Sequence, residues 1–163
     1  MHDIHSEQSA EIISKAVGFV VINWAVAEQS LDHITGLLWH DFDGAKQHKK
    51  IPVFLDPKIQ FVEKCVAGNS ALVDLKDECH SLVEEFKRLG KIRNDLVHSA
   101  AHCLSTIGRN FVFAKLDVRN GFHHYRQVEL NVDEYPKLVD ELIELGRRAH
   151  GFAELLLSRA DAK

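Results

Sequence analysis

An arginine, an asparagine and a histidine lie close together at Arg93, Asn94 and His98. In a helix, residues four apart share a face, so Asn94 is placed to hydrogen-bond the His98 imidazole and to fix its tautomer and ring angle. Arg93 falls in the hydrophobic register of the segment before it. The stripe Leu72, Leu75, Cys79, Leu82, Phe86, Leu89 steps next to Arg93 and then to Leu96. A guanidinium in an aliphatic slot needs an acid, a phosphate or a wet groove, because an unpaired buried charge is very costly. Glu28 is the acid most readily supplied by the rest of the chain. Upstream, Lys87, Arg88 and Lys91 join Arg93 in a basic run, a local positive patch that with the histidine suits phosphodiester chemistry. Arginine can stabilise the extra charge of a phosphoryl transition state, and histidine can move a proton near neutral pH. On an ideal helix Arg93 and His98 are about 140° apart around the axis. Two chains meeting at a two-fold axis would bring the complementary groups together.

Histidine is abundant, with eleven in the chain, so a metal site is the competing chemistry. His98 and His102 would share a face if one helix carried both, and Asp77 with His80 and Asp95 with His98 have Asp-x-x-His spacing. Carboxylates from other helices, such as Glu28, Glu141 and Glu144, would have to complete such a site. No metal and no cofactor is assigned. Cys65, Cys79 and Cys103 form no CxxC pair and sit among apolar neighbours, as small hydrophobes do. Glycine-rich nucleotide loops of the dinucleotide or P-loop type do not occur.

The positioning elements follow from periodicity. Ile13, Val17, Val20, Trp24, Ala27, Leu31, Ile34 and Leu38 repeat at steps of four and three, giving a helix from about 6 to about 40. Phe19, Val21, Ile22 and Val26 lie off that face and predict that the middle of this helix is covered on most sides. Gly18 predicts a close helix crossing there. Residues 41–55 read as a loop. Asp56 and Pro57 suit a helix start, and that helix ends at Gly68 and Asn69; Ser70 then caps the helix that leads to Arg93. After His102 the period changes. Two β-forming runs, 110–118 and 122–130, flank Arg119, Asn120 and Gly121, a hairpin signal. Asn131 or Asp133 caps the last helix, whose stripe is Leu138, Leu142, Leu145, Ala149, Phe152 and Leu156. The fold class is therefore mainly α: an antiparallel up-and-down bundle of four to five helices, one domain over 1–163, with a β-hairpin (about 110–130) inserted before the last helix.

With 163 residues, 45% hydrophobic and 27% charged, the composition is that of a globular domain. A net charge of -4 excludes a protein that coats nucleic acid non-specifically. The N-terminus lacks the basic and apolar regions of a signal peptide, and the apolar run 16–27 is broken by Asn23 and too short for a bilayer. A cytoplasmic protein with no membrane partner is expected.

Arg93-Asn94-Asp95-Leu96-Val97-His98 resembles the R-x4-6-H motif of HEPN domains, in which a polar residue, often Asn, follows the arginine. The resemblance is sharp at this motif and loose over the helical frame, and the hairpin is an addition to the minimal family fold. It implies a homodimer with a composite cleft, and metal-independent endoribonuclease activity that leaves a 2′,3′-cyclic phosphate. Arg93 and His98 would be the catalytic pair and Asn94 the orienting residue. Members of such a family act in toxin–antitoxin, anti-phage or RNA-surveillance systems, so an antitoxin partner belongs to the expectation. Other members keep the fold as non-catalytic dimeric interaction, scaffold or RNA-binding modules, and that is the alternative.

Overall fold

A computed structural model describes residues 7–105 and 110–162. The chain is mainly helical, with α1 (Glu7–Asp41), a short α2 (Gly44–Gln47), α3 (Leu55–Gly68), a 3-10 helix (Ser70–Leu75), α4 (Lys76–Val97) and α5 (Tyr135–Asp161). Between α4 and α5 lie β1 (Ala100–Ser105), β2 (Asn110–Arg119) and β3 (Phe122–Asn131). Two compact units result, one from residues 1–23 and 91–142, the other from 24–90 and 143–163. Residues 1–6, which include the expected start of the first helix at about 6, residues 106–109 and residue 163 fall outside the described residues.

The unit from 24–90 and 143–163 is built on apolar stripes. Trp24, Ala27, Leu31, Ile34 and Leu38 of α1 are buried, as are Leu82, Phe86 and Leu89 of α4 and Ala149, Phe152 and Leu156 of α5. Trp24 packs edge-on against Phe86, with ring centroids 5.9 Å apart. Its indole N–H donates to Glu28 at 2.9 Å. The close helix approach is at Gly90, where an added Cβ would lie 2.9 Å from Leu55 Cδ2 and 3.0 Å from Trp24 Cη2. Gly18, expected at a crossing, has nothing within 4 Å of that position. The segment expected as a plain loop contains α2, entered through Asp43 at a φ of 63°. Asn69, not Ser70, caps the 3-10 helix, its side-chain oxygen accepting from the Ala71 N–H at 2.9 Å.

The other unit holds the sheet and the end of α4. Strand order is β1-β2-β3, all antiparallel. The β2–β3 hairpin turns at Asn120 and Gly121, with φ of 52° and 78°. Both positive values identify the tight turn type for which Asn-Gly is favoured. Sequence reading expected only this hairpin; β1 adds a third strand, because α4 stops at Val97 and the β-prone run after Ser99 pairs with β2. Phe111 and Phe113 are buried with Leu96, Leu138 and Leu142. Asn131 caps the turn before α5, accepting from the Asp133 N–H at 2.8 Å, and the helix itself begins at Tyr135.

The expectation that α1 is covered on most sides is corrected. Phe19, Ile22 and Val26 are more than half exposed, and Val21 is exposed as well. Only the face carrying the four-three repeat is buried, so the apolar residues behind it remain in contact with solvent. By length and composition alone, α1 from Ala10 to Asp41 is also apolar enough to cross a membrane.

Candidate functional site

α4 reaches Arg93 in register with its buried stripe, between Leu89 and Leu96, both buried. The Arg93 side chain is half-buried. Its Nε is enclosed and has no hydrogen-bond partner. Its Nη1 donates to Asn94 Oδ1 at 3.3 Å. Among the described residues no carboxylate pairs with Arg93. A buried donor left unmade costs about 1–3 kcal/mol, which an incoming anion would recover. Glu28, the acid expected to neutralise it, instead accepts from Trp24.

Helix α4 ends at Val97, and His98 occupies the turn that follows, exposed to solvent. Its main-chain N–H still donates to the Asn94 carbonyl at 3.1 Å. The expected side-chain hydrogen bond between Asn94 and His98 is absent among the described residues, because the Asn94 amide oxygen faces Arg93. The motif therefore presents a polar pair, Arg93 with Asn94, four to five residues before an exposed histidine. Ser99 Oγ closes the turn by donating to the Asp95 carbonyl.

Sequence reading missed what holds this turn in place. Asp95, inside the motif, is clamped to the sheet. It accepts from Lys115 Nζ of β2 at 2.8 Å and from Arg126 of β3 at 2.7 and 3.0 Å. Arg126 also donates to Asp117 at 2.9 Å. The Arg126 hydrogen bonds hold the Asp95 carboxyl down at about 2, with Lys115 acting in the same direction and partial burial opposing both. The same carboxylates push the Arg126 guanidinium further up. A signal was present in the sequence. A two-residue turn at Asn120-Gly121 sets Lys115 directly opposite Arg126, and like charges so placed demand an acid between them.

Of the basic run, Lys87 donates to Glu84 at 2.7 Å and Arg88 to Glu85 at 2.8 Å, so nearby acids already offset their charge. Lys91 is exposed and has no carboxylate partner among the described residues. The His98–His102 face is corrected: α4 has ended before His102, which lies in β1. Asp95 is taken by the sheet, and His80 meets Glu63 at 3.1 Å. No group of three or more metal-ligating side chains converges among the described residues. Burial pushes the Cys65 thiol up to about 11 and the Cys79 thiol to about 12, leaving both protonated. The chain matches no protein-family model, no curated protein and no solved structure.

Proposed function

We propose that this chain is a HEPN-like protein that binds RNA through the turn at the end of α4 and cleaves it without a metal. The single observation that carries this reading is Arg93: a guanidinium in a core register, its Nε enclosed and unpartnered, with a solvent-open histidine five residues on. A phosphate is the ligand that satisfies such a donor and gains most from it. Arg93 stabilises the charge on the phosphoryl oxygens. His98 takes the proton from the attacking 2′-hydroxyl and returns it to the leaving 5′-oxygen, or shares these tasks with the His98 of a second copy. Asn94 then positions the Arg93 guanidinium through its 3.3 Å contact, a role different from orienting the histidine.

The proposal includes a homodimer, since one histidine serves both oxygens poorly. It also includes helices arranged as an up-and-down bundle, a cytoplasmic setting, and an antitoxin or defence partner. Incubation of mixed RNA in a metal chelator tests it. Wild type is expected to yield fragments ending in a 2′,3′-cyclic phosphate, with His98→Ala and Arg93→Ala inert. RNA binding without cleavage by wild type would favour the non-catalytic module, and activity abolished by the chelator would favour a metal enzyme.

A further inference from the structure

β3 is an edge strand, and its free edge is unusual. The strand is ten residues long, regular in its pairing with β2, and contains neither Pro nor Lys. Such residues are the usual protection of an exposed edge. Its one arginine, Arg126, is turned onto Asp95 and Asp117. Residues 122–125 are all exposed, Tyr125 to 83%. The opposite edge is different: β1 is six residues long and its register slips between Ala101 and Cys103. A bulge of that kind blunts an edge. The sheet thus offers one competent edge, which closes a dimer and does not propagate a fibre.

We infer that β3 pairs antiparallel with β3 of a second copy, forming one continuous six-stranded sheet across a two-fold axis at Gln127. The inference rests on the two-fold composite site proposed above and names the surface that builds it. Hairpin geometry fixes the hydrogen-bond phase. The two-residue turn makes Arg119 and Phe122 a hydrogen-bonded pair, and such pairs alternate along the ladder. His123, Tyr125, Gln127 and Glu129 therefore turn their main-chain N–H and C=O groups to the free edge. Two registers use nearly the whole strand, with the axis at Arg126 or at Gln127. The first sets Arg126, already held by Asp95 and Asp117, against its own copy, so that the two clamps meet on the axis. The second sets Gln127 against the partner's Gln127, where the amide groups not used by the Gln127 bond to Glu129 of its own strand can meet. It also sets the Tyr125 hydroxyl against the partner's Glu129 carboxylate, and Arg126 against the partner's Val128. Room for the two clamps selects the second.

This pairing has a consequence for the site. Asp95 ties the end of α4 to the sheet face carrying Lys115 and Arg126, one residue from the axis. A two-fold normal to the sheet keeps both copies of that face on the same side, with paired strands about 4.8 Å apart. Both RNDLVH turns then flank the axis.

Sedimentation and disulfide trapping test the inference. Gln127→Pro removes an edge donor without removing a bond to β2. Wild type is expected to sediment as a dimer, and Gln127→Pro as a monomer with unchanged circular dichroism. Gln127→Cys on oxidation should give a covalent dimer on a non-reducing gel, which wild type, with its native cysteines, does not. A monomeric wild type, a dimeric Gln127→Pro, or no trapping through Cys at 127 would each overturn the interface. RNA cleavage by a chain that stays monomeric also overturns it, and leaves the chemistry of Arg93 and His98 standing. A trapped dimer that binds and cleaves no RNA overturns the ribonuclease reading and leaves the interface standing.

Discussion

At Arg93 two requirements of the chain meet. The stripe of α4 asks for an aliphatic side chain, and the residue present keeps an enclosed, unpartnered Nε. Replacing it with leucine should therefore stabilise the fold by about 1–2 kcal/mol while abolishing RNA cleavage, an outcome that thermal melting and a gel assay check together. Removing the His98 imidazole should lower the cleavage rate by roughly 10²- to 10⁴-fold, the usual range for a positioned acid or base, with little change in melting temperature because the ring is exposed. Asp95 behaves in the opposite way. Asp95→Asn leaves Lys115 facing Arg126 with Asp117 still on that guanidinium, weakens the bonds that tie the α4 turn to the sheet, and should cost roughly 2 kcal/mol, given about 1.5–3 kcal/mol for a charged hydrogen bond. Its carboxyl is depressed in the fold, to about 2. The stability it confers is therefore present above its unfolded value of about 4 and is lost as pH falls through about 2. Wild type should lose stability across that window, and Asp95→Asn should lose less, as measured by denaturant unfolding at a series of pH values.

Among the elements, Gly18 of α1 and Gly90 of α4 make opposite predictions. Gly18 has open space where a Cβ would go, so Gly18→Ala should raise stability by about 1 kcal/mol, a few degrees in Tm. Gly90 abuts the rigid Trp24 ring, so Gly90→Ala should cost about 1–3 kcal/mol by overpacking. The sequence contains both glycines but not the neighbour that separates them, since the Trp24–Gly90 contact joins residues far apart in the chain. What periodicity can carry was legible. The buried stripes of α1, α4 and α5, the hairpin turn and the place of Arg93 in the α4 register all follow from local spacing. β1 was not legible, because six residues acquire strand form only by pairing with β2. The bonding of Asn94 was not legible either: helical spacing permits Asn94–His98, and side-chain rotamers decide for Arg93.

For the whole molecule, a net charge of -4 and the pairing of Lys87 and Arg88 with their neighbouring acids mean that few free cations meet an RNA backbone. Affinity should therefore depend only modestly on salt. About three phosphate contacts give a fall of roughly 20-fold between 50 and 200 mM salt, measured by fluorescence anisotropy. The most direct measurement follows the Arg93 Nε–H in a proton–nitrogen correlation spectrum, assigned by its disappearance in Arg93→Ala, while a non-cleavable 2′-deoxy oligonucleotide is added. A saturable shift of that resonance, together with the His98 ring signals, is the predicted result. An Arg93 signal that stays fixed while the oligonucleotide binds elsewhere, or fails to bind, would contradict the assignment of this turn as a phosphate site.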